Sequence, residues 1–244
     1  MDDNSIGQFN KDAASHGSYI YNEGRLSSEL ASRRTNDEIE KNCSFEGKKI
    51  LDLGCGDGRY SFYLASKFPV KYVVGIDPAD EVIRMNIEKT KSLGLGDKVS
   101  FQVGDVYNLE IGDHFDLVVM RWMMHHLPDP ELAIEKAAPL GDMLIIVDPN
   151  GWNPVLKYNE HFFKYHIEHG EKSFVLKNVV KWLDRAGYDV RFKKYINLVP
   201  MFCPDWMAKI CKIFEPIAEA IPLVRNICCG QFIIVAEARN GAKK

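Results

Sequence analysis

From Gly47 onward, apolar runs of strand length alternate with stretches whose apolar residues recur at helical spacing. Lys49 to Leu53, Tyr72 to Ile76, Val99 to Val103, Phe115 to Met120 and Met143 to Val147 are short and rich in Val, Ile, Leu and Phe. Near-continuous apolar runs of this kind mark strands buried on both faces. Between them, helical patterns cover Gly58 to Phe68, with Tyr60, Tyr63, Leu64 and Phe68, and Ala79 to Leu93, with Val82, Ile83, Ile87, Thr90 and Leu93 on one side. Gly94 stops the second, and a third opens at Asp129 as cap with Pro130 in its first turn. Such alternation predicts an α/β sheet, largely parallel, with helices on both faces.

After the fifth strand the rhythm changes. Residues 149–172 do not close straight into a helix. A helix is then predicted over Ser173 to Ala186, capped by Ser173 and stopped at Gly187, followed by a sixth strand, Asp189 to Ile196. A second insertion, 197–229, precedes the last strand, Phe232 to Ala236. Within it Trp206, Met207, Ile210, Phe214, Ile217 and Ile221 read as one broad apolar face with a kink at Pro216. At the other end, Leu26, Leu30 and Ile39 are loosely helical beside Arg25, Arg33 and Arg34. That segment reads either as a solvated helix on the domain edge or as a lid from which Tyr19, Tyr21 or Arg25 reaches a ligand.

With 244 residues, 46% of them hydrophobic, the chain can bury one large core. Its net charge of -3 argues against a dedicated nucleic-acid binder. The polar start, Met1 to Ser5, lacks the apolar stretch of a signal peptide, and no run is long enough to span a bilayer. The six cysteines form no Cys-x-x-Cys pair and read as reduced thiols of a cytoplasmic protein. A monomer or homodimer is expected.

The chemistry concentrates where the first strand meets Gly54, Gly56 and Gly58. A strand that turns into a helix through glycines lets backbone N–H groups approach a ligand. The spacing departs from the dinucleotide pattern Gly-x-Gly-x-x-Gly, because the third glycine comes one residue early. Asp77, at the end of strand two, suits ribose hydroxyls of either a dinucleotide or an adenosyl cofactor. Asp52, inside the strand just before the turn, would repel a pyrophosphate and suits a cationic group. His161 with His166-Ile167-Glu168-His169-Gly170-Glu171 tempts a metal reading, but no second cluster of firm spacing completes a ligand set, so no metal is expected.

Leu51-Asp52-Leu53-Gly54-Cys55-Gly56-Asp57-Gly58, followed by Val74-Gly75-Ile76-Asp77-Pro78, Gly104-Asp105-Val106 and Phe115-Asp116-Leu117-Val118-Val119, resembles the ordered motifs of class I S-adenosylmethionine-dependent methyltransferases. His125-His126-Leu127-Pro128-Asp129-Pro130 is similar to the stretch after strand four in the small-molecule branch of that family. The likeness covers roughly residues 45–150 and implies a Rossmann-like, doubly wound, seven-stranded, mostly parallel sheet with an antiparallel last strand. It implies S-adenosylmethionine as cofactor and S-adenosylhomocysteine as product. Gly54, Cys55 and Gly56 would pass under the amino-acid part and Asp52 would take its ammonium. Asp77, followed by Pro78, would hold the ribose; Asp105 and Val106 would hold the adenine, and Arg121 would lie near the methionine part. One domain is expected, with residues 1–45 as lid, 46–148 as cofactor half and 149–244 as acceptor half.

The acceptor is less defined. His125 and His126 are candidates for a general base where strand four ends, and Trp152, His166 and His169 for acceptor contacts. Arg121-Trp122-Met123-Met124 stands where nucleic-acid amino-methylating relatives carry an Asn/Asp-Pro-Pro-aromatic element, which argues against DNA bases. The aromatic insertions suggest a small, partly apolar acceptor such as a lipid, polyketide or glycan precursor, methylated on oxygen. A catalytically silent cofactor-binding or partner-binding protein is the second reading, and a nicotinamide-dependent oxidoreductase the third.

Overall fold

The computed structural model describes residues 6–7, 10–11, 24–109, 111–163, 167, 170–201 and 203–239. Helix α1 (Leu26–Asn42) leads into β1 (Lys49–Leu53), α2 (Arg59–Lys67), β2 (Tyr72–Asp77), α3 (Asp80–Leu93), β3 (Val99–Val103) and β4 (Phe115–Arg121). Then come α4 (Pro130–Ala137), β5 (Gly141–Pro149), α5 (Pro154–Phe162), α6 (Leu176–Arg185), β6 (Tyr188–Ile196), α7 (Asp205–Ala220), α8 (Pro222–Cys228) and β7 (Gln231–Ala238). The seven strands form one sheet in the order β3-β2-β1-β4-β5-β7-β6. Pairing is parallel from β3 to β5, and β7 runs antiparallel to both β5 and β6.

Successive side chains point to opposite faces of a strand, so each central strand feeds two cores. Leu51, Leu53, Val118, Met120, Leu144 and Ile146 pack on one face with Leu176, Val179 and Leu183 of α6. Ile50, Leu117, Val119, Ile145 and Val147 pack on the other with Leu64 of α2 and Ile83 of α3. The strand order reverses beside β1, between β2 and β4, and a doubly wound sheet places its ligand in the crevice at such a point.

Three expectations fail in informative ways. Helix α3 buries Val82, Ile83, Asn86 and Thr90, while Ile87 and Leu93 are exposed. Asn86 turns inward because its side-chain amide donates to the Gly56 carbonyl at 2.7 Å. Helix α6 begins at Leu176 with Val175, not Ser173, as its cap. The Ser173 backbone is otherwise engaged: its N–H donates to Glu160 at 2.8 Å and its carbonyl accepts from Lys157 Nζ at 2.9 Å.

The largest departure is α7. Trp206, Ile210, Phe214, Ile217 and Ile221 are exposed, while Ala208, Glu215, Ala218 and Glu219 face inward. Arg34 of α1 pairs with Glu38 and with both oxygens of Glu219, and Lys194 of β6 reaches Glu219 at 2.9 Å. A buried cation left unpaired costs several kcal/mol. The acidic stripe therefore wins the inner face, and the apolar stripe is left outside. No helix among the described residues is long and apolar enough to cross a membrane, and all six cysteines are free.

Candidate functional site

A cavity of about 860 Å³ opens over the C-terminal ends of the parallel strands. That is near the upper end for small-molecule sites, roughly 300–1,000 Å³, and leaves room for two ligands together. Its lining divides into a polar half around β1 and β2, a histidine corner after β4, and an apolar wall from Leu198, Val199, Met201, Met207 and α5.

In the polar half, Gly54 leaves β1 with φ +68°, and its N–H and that of Cys55 both donate to the Ile76 carbonyl. A Cβ on Gly54 would lie 2.6 Å from Met123 Cγ, so only glycine fits. Asp52 is buried and accepts a hydrogen bond from Ser61 Oγ at 2.6 Å. Burial pushes its carboxyl up to about 6, with Ser61 and Arg121 pulling the other way. Asp77 is likewise pushed up to about 6 by burial, although the Ala79 and Gly56 N–H groups favour its charged form. Those N–H groups reach its two oxygens at 3.0 and 2.9 Å. Each carboxylate oxygen keeps a lone pair for a further donor. Asp105 caps the turn Val106–Asn108 by accepting from Tyr107 N–H at 3.1 Å, and both Asp105 and Val106 line the cavity, as does Pro78.

Strand β4 delivers the other wall. Arg121 donates from Nη1 to Asn36 Oδ1 of α1 at 2.8 Å, and its guanidinium lies 4.4 Å from the ring centres of both Tyr60 and Trp122. Burial holds its pKa below the usual arginine value while Tyr60 and Asp52 oppose that. Trp122 follows at φ +52°, a conformation unusual for a bulky residue and one that persists when its surroundings over-determine it. Its N–H donates to the Val147 carbonyl at 2.8 Å, and the chain then turns through Met124–His126.

That turn sets the His125 ring against His126, with ring centres 3.9 Å apart. His125 is buried, and its Nδ1 lies 2.8 Å from Oδ1 of Asp148, a fully buried residue near the end of β5. Burial lowers the affinity of the imidazole for a proton, but the Asp148 carboxylate, helped by Glu171 and Glu160, more than offsets this and leaves its pKa raised. The Lys172 N–H donates to the His125 carbonyl at 2.9 Å, which brings Glu171 to the same corner.

The structure thus gathers Asp52, Gly54, Cys55, Gly56, Asp77, Pro78, Asp105, Val106, Arg121, His125 and His126 around one cavity. Arg25 is not brought there; it is exposed at the start of α1, and the part of that helix lining the cavity is Ser32 and Asn36. Trp152 is also not brought there. It is exposed, because Asn150 and Asn153 hold the turn around it by bonds to the carbonyls of Asn226, Cys228 and Cys229. Tyr19, Tyr21, His166 and His169 lie outside the described residues. Sequence reasoning missed Asp148 and Glu171. The first could have been found as the acidic residue that closes the fifth apolar run, as Asp77 closes the second; nothing in the sequence ties the second to His125.

Residues 50–140 match the family model described as a methyltransferase domain. Among curated proteins the chain is 38% identical over 96 residues to phosphoethanolamine N-methyltransferase 1 of Arabidopsis thaliana, covering 39% of this chain and 19% of that protein. It is 32% identical over 116 residues to ubiquinone biosynthesis O-methyltransferase of Nitrosospira multiformis, covering 47% and 44%. The chain thus spans less than half the length of either relative. Among solved structures, magnesium protoporphyrin IX methyltransferase of Synechocystis PCC 6803 with bound S-adenosylhomocysteine superposes with a TM-score of 0.68 at 18% identity, over 96% of this chain and 97% of that one. The cyclase SpnF gives 0.68 at 17% identity, over 98% and 94%. A glycine cradle that a Cβ would fill, two buried carboxylates awaiting donors and a roomy cavity fit an adenosyl ligand with an ammonium group. Residues 50–140 are thus similar to a methyltransferase domain, and the chain as a whole shares the fold of solved methyltransferases.

Proposed function

We propose that this chain transfers a methyl group from S-adenosylmethionine to a hydroxyl oxygen of a small, partly apolar acceptor. The observation that carries the reading is the continuity of the cavity: carboxylates suited to the cofactor, an imidazole backed by the buried Asp148 and an apolar wall share one enclosure. Asp52 takes the ammonium, Gly54, Cys55 and Gly56 support the amino-acid part, Asp77 accepts the ribose hydroxyls, and Asp105 with Val106 meets the adenine. Arg121, a buried cation beside Asp52, offers the carboxylate a partner. Bound there, the cofactor supplies an electrophilic methyl carbon on a sulfonium, so the protein's task is to align a nucleophile and exclude water.

The acceptor enters against Leu198, Val199, Met201, Met207, Leu156 and Phe163. With Nδ1–H of His125 donated to Asp148, the Nε2 lone pair is left to take the hydroxyl's hydrogen bond and then its proton. Helix α1, clamped by Arg34, forms the lid of a single domain, and the acceptor half follows β5. The O-methyltransferase named in ubiquinone biosynthesis supports oxygen as the acceptor atom. The N-methyltransferase makes an amine the competing class.

Calorimetry with S-adenosylhomocysteine and NAD, followed by a methyl-transfer screen of phenols, hydroxy-lipids, sugars and amines, tests this. Micromolar S-adenosylhomocysteine binding with turnover on a hydroxylated apolar acceptor is expected. His125→Ala should lower turnover while leaving cofactor affinity within about twofold. Tight binding without turnover on any acceptor would favour a silent cofactor-binding protein, a reading the cyclase of the same fold keeps in view. Binding of NAD alone would overturn the assignment.

A further inference from the structure

The histidine corner holds more than a base needs. One ligand atom from each of His125, His126 and Glu171 lies within 4.8 Å of the other two, on the wall of the acceptor cavity. Two imidazoles and a carboxylate are a donor set that binds borderline divalent cations while leaving coordination positions open. A cation about 2.1 Å from each donor sets them about 3–4 Å apart, so the trio has to close by up to about 1–2 Å, within reach of side-chain rotation.

The surroundings are those of a built site. Asp148, fully buried, engages Nδ1 of His125 at 2.8 Å and fixes the tautomer that aims a lone pair from Nε2. A carboxylate behind a ligand imidazole is the usual outer partner of a histidine-bound metal. The third donor is tied in from another part of the chain. The Lys172 N–H bonds the His125 carbonyl at 2.9 Å, and Ser173 is held at both backbone atoms by Lys157 and Glu160. Glu171 is thus presented by an anchored segment.

We propose that His125, His126 and Glu171 bind one divalent transition-metal cation, such as Zn²⁺, Mn²⁺ or Co²⁺, that receives the acceptor's oxygen. The site rests on the proposed acceptor side of the cavity and deepens that reading. Two nitrogen donors disfavour Mg²⁺ and Ca²⁺, which prefer all-oxygen shells. A hydroxyl brought to the cation has its pKa lowered and gives its proton to solvent, so the cation takes over the activating role that the His125 lone pair has without it. Open positions on one cation also favour acceptors with two adjacent oxygens, such as a catechol or a hydroxy-ketone.

The test is a Co²⁺ titration of untagged full-length protein at pH 7.5, followed by visible absorption, with metal content measured independently after dialysis against Zn²⁺ or Mn²⁺. One equivalent with micromolar affinity and imidazole-type Co²⁺ bands is expected. Glu171→Gln, partly exposed and checked by thermal melting, should weaken the cation at least tenfold, and Asp148→Asn about 10–100-fold. S-Adenosylhomocysteine affinity should stay within about twofold in the Glu171 variant. Less than 0.2 equivalents in the wild type, or undiminished binding in the Glu171→Gln protein, would overturn the site. Failure of the cofactor assignment shows differently: Co²⁺ would bind normally while S-adenosylhomocysteine did not.

Discussion

Cofactor affinity should collapse on mild acidification, and the two buried aspartates set by how much. Burial pushes the carboxyls of Asp52 and Asp77 up to about 6 in the ligand-free protein. In the proposed site both must be charged, to serve an ammonium and a pair of ribose hydroxyls. At pH 7 about nine in ten of each are ionised; at pH 5 about one in ten are. If both are required, the dissociation constant of S-adenosylhomocysteine rises by about 100-fold between pH 7 and pH 5, about 2.7 kcal/mol. The ligand's ammonium stays charged throughout that range. Binding at pH 5 should also take up close to two carboxyl protons' worth of ionisation, releasing them to buffer. Calorimetry in buffers of different ionisation enthalpy counts those protons. Asp52→Asn should reduce the count to about one and flatten the pH dependence to about tenfold. A dissociation constant changing less than threefold from pH 5 to pH 7, in protein shown folded at both, would refute the reasoning. The fold itself responds oppositely. A carboxyl whose pKa is raised by folding contributes most below its unfolded value near 4, and that contribution is lost as pH rises through about 6. The ligand-free protein should therefore lose up to about 3 kcal/mol per aspartate over that interval.

Other perturbations separate packing from chemistry. Glu219→Ala removes the shared partner of Arg34 and Lys194 and should destabilise by on the order of 2 kcal/mol in urea melts, less than a fully orphaned buried charge because Arg34 keeps Glu38. Phe214→Glu, on the exposed side of the same helix, should change stability by no more than about 0.5 kcal/mol. Gly54→Ala should cost about 1–3 kcal/mol and weaken S-adenosylhomocysteine binding at least tenfold, because the added methyl group meets Met123 and the backbone is at positive φ.

The first strands and the glycine turn were legible because their determinants are local. A strand, a glycine turn and a helix follow one another within twenty residues, and Asp52, Asp77 and Asp105 all sit where strands end. Val99–Val103 and Lys49–Leu53 occupy the bounds their apolar runs predict. What could not be read depends on partners distant in the chain. The facing of α7 is decided by Arg34 and Lys194, more than twenty residues away, and apolar periodicity alone points the wrong stripe inward. Ser173 looks like a helix cap until Lys157 and Glu160 claim its backbone. The histidine corner is the sharpest case. His125 was visible as a candidate, but its pairing with Asp148 across β5 and the approach of Glu171 through the Lys172 hydrogen bond are contacts that apolar patterning does not reveal.

The acidic inner stripe of α7 also determines how its contact with α1 responds to water. An apolar seam between α1 and α7 would lose its stabilisation in water on parting, with nothing regained. Ions regain their hydration when separated, so a seam of Arg34, Lys194 and Glu219 opens against a smaller penalty than its buried area suggests. A contact made by charge therefore weakens as salt rises, whereas the apolar packing on both faces of the sheet does not.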